Sequence, residues 1–230
     1  MDYIVLDMEW NQPWPGSPSS KKVLPAPIRG EIIQMGAVRL TENQTVADEF
    51  QVMALHDTVV GECGGIDVLI NNAGVSLFGI FQTISNDDRR KMYATNLFGT
   101  LYVTREFVGD MINAKSGVII NISSVLGETG GSCEADYAAS KGALIALTKS
   151  LAKECGPSGV RVNCVCPGII DTDMNANLTA DEVEELVGEI PLETLGRPSD
   201  VANAVLFLAS DGAEYITGAV VDVNGGRSEL

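Results

Sequence analysis

The sequence predicts an α/β fold, a three-layer sandwich in which helices cover both faces of a mostly parallel β-sheet. Runs rich in β-branched residues at 66–70, 117–122 and 160–165 have the length and composition of strands buried on both faces. Each run ends in polar or small residues, and segments long enough for helices separate the runs. Because ligand sites of open α/β sheets lie at the carboxyl ends of the strands, we expect the functional site at that edge.

The beginning of the chain is predicted to consist of strands. Residues Tyr3 to Leu6 form the first, and the prolines at 13, 15, 18, 25 and 27 exclude a helix after it. Segments 31–40 and 46–53 are predicted as two strands joined by the polar turn TENQT, which is typical of an antiparallel hairpin.

Helices and strands alternate in the rest of the chain. Ser85 and Asn86 precede an acidic stretch, which predicts a helix N-terminus at that point. Pro198 is expected at the first turn of another helix, because proline fits there without losing a hydrogen bond. The other predicted elements are helices at 97–114, 134–154 and 179–188 and a last strand within 216–226.

Size and composition indicate one domain of ordinary α/β type. The 230 residues are 45% hydrophobic, enough for a sizeable core. The sequence has no apolar run of about 18 residues, and its first residues are acidic, so we expect a cytoplasmic protein that neither enters a membrane nor is secreted. A net charge of −16 disfavours nucleic acid as a partner. The odd number of cysteines, five, predicts free thiols.

The helix at 134–154 carries a candidate acid–base pair. Tyr137 and Lys141 are four residues apart and therefore share one helix face. A lysine ammonium beside a phenol would favour the phenolate and bring the pKa of the tyrosine toward neutral pH. A YxxxK pair alone is more often an exposed pair on an amphipathic helix. Here the strand at 117–122 delivers Ser123 and Ser124 to the sheet edge as well.

Several ordered motifs extend this pattern. NNAG occupies 71–74, Asn96 lies in NLFGT, the two serines end NISS, and PGxxxT spans 167–172. From about residue 57 to 230 the chain resembles the short-chain dehydrogenase/reductase family, most closely its bacterial 3-oxoacyl carrier-protein reductase and sugar or steroid dehydrogenase branch. The resemblance implies a Rossmann-like fold, a homodimer or homotetramer, and a small-molecule carbonyl or alcohol substrate.

The resemblance also implies a role for each motif. Tyr137 would exchange the proton, Lys141 would bind the nicotinamide ribose and shift the phenol, and Ser124 would orient the carbonyl oxygen. Ser124 is preferred to Ser123 by its spacing of thirteen residues from the tyrosine. Asn96 would interrupt its helix and support a water linked to the lysine. Binding of NAD or NADP is assigned to Asn72, Ala73, Gly74, Tyr137, Lys141, Pro167, Gly168, Ile170 and Thr172.

The first quarter of the chain departs from that family. A family member should open with a strand and a TGxxxGxG turn that receives the pyrophosphate at a helix N-terminus, and this motif is absent. Residues 1–54 resemble instead the start of a DEDD-family 3′-5′ exonuclease, in which a D-x-E pair binds catalytic magnesium or manganese. Asp7 and Glu9 are the corresponding residues, and their spacing directs both carboxylates to one side of a strand. A solvated pair without a metal is the more ordinary alternative.

We therefore expect a single chimeric domain over residues 1–230, with an exonuclease-like meander at 1–54 and a dehydrogenase portion at 57–230. Its sheet would have seven strands in the order 3-2-1-4-5-6-7, with strand 2 antiparallel to strands 1 and 3. The predicted activity is hydride transfer with weakened cofactor binding. The alternatives are an inactive pseudoenzyme and, third, a metal-dependent exonuclease.

Overall fold

A computed structural model of the chain describes residues 3–7, 32–36, 56–61, 64–172 and 178–227. The strands in this part of the chain are β1 (Tyr3–Asp7), β2 (Ile32–Gly36), β3 (Val68–Asn71), β4 (Gly117–Ile122), β5 (Val160–Pro167) and β6 (Val220–Val223). They form one sheet in the order β2-β1-β3-β4-β5-β6, and every neighbouring pair is parallel. The prediction of an α/β fold around a mostly parallel sheet is confirmed.

The helices of the described residues are α1 (56–61), α2 (Asn86–Tyr93), α3 (Thr100–Ala114), α4 (Leu126–Thr129), α5 (Ala135–Cys155), α6 (Ala180–Gly188) and α7 (Pro198–Ala209). Their starts follow the capping signals of the sequence. The hydroxyl of Ser85 accepts a hydrogen bond from the backbone N–H of Asp88 at the start of α2. Thr179 and Glu182 form a capping box at the start of α6. None of the helices in the described ranges has both the length and the apolar character needed to cross a bilayer.

Two apolar clusters cover the two faces of the sheet. On one face, Phe107 and Met111 of α3 and residues of α5 pack on Leu69 and Ile119 of the strands. On the other face, residues of α7 pack on a second set from the same strands: Val68, Ile70, Val118, Ile120, Ile122 and Val165. Alternate strand residues thus enter opposite cores, which produces three layers and explains why these strands are apolar throughout.

The direction of the second strand was predicted wrongly. β2 runs parallel to β1, with pairs from Tyr3 and Ile32 to Asp7 and Gly36, and not antiparallel to it. Parallel neighbours need a crossover of a dozen or more residues, and residues 8–31 supply that length whether or not they are helical. The predicted third strand at 46–53 lies outside the described residues, so the seven-stranded order is not confirmed. The segment at 32–36 does lie next to β1.

Candidate active site

The carboxyl ends of β3, β4 and β5 bring the predicted motifs to one edge of the sheet. Asn71 of β3 pairs in register with Asn121 of β4, and both strands end there or one residue later. After β4, the backbone N–H of Ser123 donates to Val165 of β5 at 2.8 Å. The NNAG, NISS and PGxxxT motifs therefore follow adjacent parallel strands. Their polar residues meet because parallel strands end on the same side.

Helix α5 carries Tyr137 and Lys141 to this edge. The Lys141 side chain is buried, with 3% of its surface exposed, and its Nζ atom donates to the carbonyl of Ile122 at 2.9 Å. The same Nζ lies 5.9 Å from the centre of the Tyr137 ring. Burial lowers the pKa of Lys141 to about 8, because the charged form loses hydration. The side chain of Lys141 therefore loses its positive charge at a pH that is only slightly above neutral.

The two serines after β4 have different partners. The Ser123 hydroxyl donates to the backbone carbonyl of Lys141 at 2.8 Å, which ties β4 to α5. The Ser124 side chain lies beside the Tyr137 phenol, whose pKa it lowers, and accepts from the backbone N–H of Leu126 at 3.2 Å. Of the two hydroxyls, it is Ser124 that adjoins the phenol. This contact favours Ser124 over Ser123 for the role at the reacting oxygen.

Glycines allow α5 to pack closely on the segment after β4. A Cβ atom on Gly142 would lie 3.0 Å from the carbonyl oxygen of Gly127, and one on Gly127 would lie 2.8 Å from the Ser123 hydroxyl. The second distance is too short for an added atom unless a neighbour shifts, and the first would require the Gly127 carbonyl to move by a few tenths of an ångström. The small residues that the sequence places along this helix therefore let Tyr137 approach Ser124.

Asn96 lies at a break between two helices, as expected. Residues Ala94–Gly99 form a π-helical turn between α2 and α3. The Asn96 side chain is fully buried. Its amide oxygen accepts from the backbone N–H of Val75 at 2.8 Å, and its amide nitrogen donates to the backbone carbonyl of Val75 at 2.9 Å. It also donates to Ser140 at 3.1 Å. In this arrangement the amide holds the chain after β3 against α5, next to Lys141.

The phenol of Tyr137 does not have the lowered pKa that we predicted. Burial raises its pKa above the ordinary value, and the negative charge of Glu134 raises it further, whereas the hydrogen bond from Ser124 acts in the opposite direction. Lys141 donates to a backbone carbonyl and not to the phenol oxygen. The tyrosine is therefore protonated at neutral pH, which is the form that can donate a proton.

The candidate cofactor residues fit the nicotinamide-ribose half of a dinucleotide. A Cβ atom on Gly74 would come within 3.0 Å of Lys141 Nζ and 3.6 Å of Asn96 Oδ1, so the absence of a side chain keeps the space before the ammonium open. An ammonium and a phenol are together able to donate to and accept from ribose hydroxyls. We find the donor set compatible with that sugar.

The loop after β5 forms the other wall of this region. A Cβ atom on Gly168 would lie 2.8 Å from the Cα of Asn224, so only glycine fits there without a shift. Ile170 forms an isolated parallel bridge with Gly196, and the hydroxyl of the exposed Thr172 donates to the carbonyl of Ile170 at 3.4 Å. These contacts place Gly168 to Thr172 directly beyond Pro167, the last residue of β5.

The predicted metal pair cannot be assembled from the described residues. Asp7 is the last residue of β1, while Glu9 lies outside the described part of the chain. The rest of the predicted exonuclease-like meander, apart from β1 and β2, lies outside it as well.

Comparison with known proteins decides the family. Residues 31–228 match the family model described as enoyl-(acyl carrier protein) reductase. The chain belongs to the short-chain dehydrogenase/reductase family. This match begins inside the segment predicted to be exonuclease-like, and the comparisons do not show an exonuclease fusion, an inactive remnant or a magnesium or manganese site.

Individual relatives agree with this assignment. The 3-oxoacyl-[acyl-carrier-protein] reductase FabG of Chlamydia trachomatis is 38% identical over 199 residues, which cover 86% of this chain and 78% of the relative. FabG of Staphylococcus aureus is 39% identical over 196 residues, covering 85% and 80%. A gluconate 5-dehydrogenase of Burkholderia cenocepacia, solved in complex with NADP and tartrate, superposes with a TM-score of 0.77 at 32% identity, covering 80% of this chain and 73% of that one. The chain is thus an oxidoreductase of the short-chain type.

Two acidic residues close to Tyr137 in the chain were not among the predicted site residues. Asp136 is 4% exposed and accepts a hydrogen bond at 2.8 Å from Arg89 of α2. Glu134 lies one helical turn before Tyr137, and its carboxylate accepts from the hydroxyl of Ser76 at 3.4 Å. The i,i+3 spacing of Glu134 and Tyr137 was visible in the sequence and could have identified it. The partner of Asp136 is 47 residues away and has no local signal.

Proposed function

We propose that this short-chain oxidoreductase interconverts a carbonyl compound and a secondary alcohol with NAD(P)(H), using Tyr137, Ser124, Lys141 and Asn96. The observation that supports this most directly is that the Ser124 side chain adjoins the phenol of Tyr137, with the buried Lys141 side chain one turn away. In this arrangement a proton donor and a second hydroxyl converge on one point at the sheet edge. Such a pair can bind the oxygen of a carbonyl group.

In the direction of reduction, a nicotinamide cofactor held by these residues would supply the hydride for the carbonyl carbon. Ser124 donates a hydrogen bond to the substrate oxygen and holds it beside Tyr137. The phenol then donates its proton to that oxygen as negative charge develops on it, and the product leaves as a neutral alcohol. The raised pKa keeps the phenol protonated before the reaction. Oxidation of an alcohol reverses each transfer.

Lys141 and Asn96 would act on the binding side of the reaction. The ammonium of Lys141 would bind the nicotinamide ribose through the N–H groups that it does not donate to Ile122. Asn96 would hold the chain at Val75 so that Gly74 stays close to the ammonium. Asn72, Ala73 and the residues from Pro167 to Thr172 would complete the nicotinamide side. A homodimer or homotetramer, and a cytoplasmic location, are the expected setting.

Turnover tests the proposal. Consumption of NADPH and NADH is followed by absorbance with a 3-oxoacyl thioester and with a 5-oxo sugar acid, the compound classes named by the relatives. Tyr137→Phe should lower kcat by about 10²–10⁴-fold, the usual contribution of a general acid. Tyr215→Phe, at a fully exposed position, is the matched control and should leave kcat unchanged. Equal rates for wild type and Tyr137→Phe would refute the proposed chemistry.

Cofactor affinity tests the weakened binding proposed from the first strand. The sequence lacks the TGxxxGxG motif, whose backbone N–H groups would bind the pyrophosphate. It has two acidic residues, Asp7 and Glu9, after the first predicted strand. Two like charges about 4–6 Å from the phosphates would cost about 2–4 kcal/mol, which moves micromolar binding toward millimolar. Calorimetric titration with NADPH and NADH, with and without magnesium, measures this. Low-micromolar binding without metal would rule out both the impairment and the pseudoenzyme alternative.

A further inference from the structure

Glu134 occupies a defined position beside the reacting phenol. It is the N-cap residue of α5, yet its side chain makes no capping hydrogen bond with that helix. Its carboxylate is directed to the loop after β3, where it accepts from the Ser76 hydroxyl at 3.4 Å. Glu134 precedes Tyr137 by three residues, and its charge is close enough to act on the phenol through space.

The backbone around Glu134 is held from two directions. The N–H of Gly79, on the loop after β3, donates to the carbonyl of Cys133 at 2.7 Å. Cys133 itself has a φ of 62°, in the left-handed region that non-glycine residues rarely adopt. The carbonyl of Glu134 accepts the first helical bond, from Ala138 at 2.8 Å. The entry into the catalytic helix is therefore constrained, which fixes the Cα of Glu134 relative to the phenol.

The charge of Glu134 acts on the catalytic tyrosine. It contributes to the raised pKa of Tyr137, and it does so through space. Among the described residues, Glu134 acts on the phenol through its charge, and the Nζ of Lys141 lies 5.9 Å from the ring centre. The other nearby acid, Asp136, is buried and hydrogen-bonded to Arg89 through both carboxylate oxygens. It therefore adds little to the field at the substrate oxygen.

We propose that Glu134 is a specificity-determining residue that selects carbonyl substrates with a neutral or hydrogen-bond-donating group near the reacting carbon and disfavours those with a carboxylate there. A substrate oxygen that reaches both Ser124 and Tyr137 brings its neighbouring atoms to within one helical turn of Glu134. A hydroxyl group on those atoms can donate to the carboxylate. A second carboxylate about 6 Å away would lose roughly tenfold in affinity at an effective dielectric of about 40. The inference rests on the proposed reductase function and refines its substrate class.

The first test compares an ester with its free acid. Reduction of ethyl acetoacetate and of acetoacetate is measured for wild type, Glu134→Gln and Glu154→Gln. Glu154 is an exposed carboxylate near the other end of α5 and serves as the matched control. We expect kcat/KM for acetoacetate to rise about tenfold in Glu134→Gln, mainly through KM, with little change for the ester. Glu154→Gln should keep the wild-type ratio of the two substrates.

The second test needs neither substrate nor cofactor. Ionisation of tyrosines is followed by near-ultraviolet absorbance, and the difference between each protein and its Tyr137→Phe variant isolates one phenol. Glu134→Gln should shift that titration to lower pH, since a negative charge near the phenol has been removed. Turnover with an unchanged ester-to-acid ratio, or an unchanged phenol titration, would overturn the role of Glu134. Absence of turnover with either probe would instead refute the proposed reductase function.

Discussion

Replacement of Lys141 by methionine should change how stability depends on pH. In the folded protein the pKa of this lysine is lowered from 10.5 to about 8 by burial. Between these two values the unfolded chain binds more protons than the folded one, so the free energy of unfolding rises with pH in this window. The contribution of Lys141 is therefore unfavourable at pH 7 and is relieved as pH increases through 8 and above.

The magnitude follows from the two pKa values. Because of this difference in pKa, the free energy of unfolding of the wild-type protein should rise by about 2 kcal/mol between pH 7 and 9.5 through Lys141 alone. Lys141→Met keeps an unbranched side chain, one atom shorter, and has no ionisable group, so the stability of the variant relative to wild type should fall by that amount between pH 7 and pH 9.5. Because the other titrating groups are common to both proteins, most of their effects cancel in the difference.

Urea unfolding followed by circular dichroism, at one protein concentration and at pH 7, 8, 9 and 9.5, measures this difference. Lys153→Met removes an exposed lysine from the same helix and serves as the control, since an exposed side chain loses little hydration on folding. It should keep the pH dependence of wild type. If this reasoning holds, the difference in the free energy of unfolding between wild type and Lys141→Met neither stays constant with pH nor changes in the opposite direction. Either result would contradict the desolvation of the ammonium that the structure indicates.

Two further predictions concern neighbours of the tyrosine. Arg89→Met leaves the buried carboxylate of Asp136 without its cation and should lower the free energy of unfolding by about 3 kcal/mol in urea, whereas adding Asp136→Asn should recover part of that loss. Full stability of the single variant would contradict this. Ser124→Ala removes a hydrogen bond that lowers the pKa of Tyr137, so the alkaline limb of the pH–kcat profile should move to higher pH. Ser123→Ala should instead cost about 1–2 kcal/mol of stability and leave that profile in place; equal pH profiles for both serine variants would refute the assignment.

Much of the fold and of the candidate site was predictable because it depends on local geometry. A four-residue spacing puts Tyr137 and Lys141 on one helix face in any α-helix. Strands that are apolar throughout indicate a sheet covered on both sides, and the carboxyl ends of parallel strands share one edge. Capping residues such as Ser85 and Thr179 act on the N–H groups of the next turn. Each of these signals lies within a few residues of its effect.

The tertiary structure decided what depends on contacts between distant segments. β2 is parallel to β1 because direction depends on how the chain returns, and the residues of the two strands do not encode that path. The pKa of Tyr137 is raised where the YxxxK pair alone predicted a lowered value, because burial of the phenol raises it and the Nζ of Lys141 donates to the carbonyl of Ile122. The pairing of Asp136 with Arg89 joins residues 47 positions apart. Desolvation and long-range pairing arise only when the segments pack, so spacing along the chain could not reveal them.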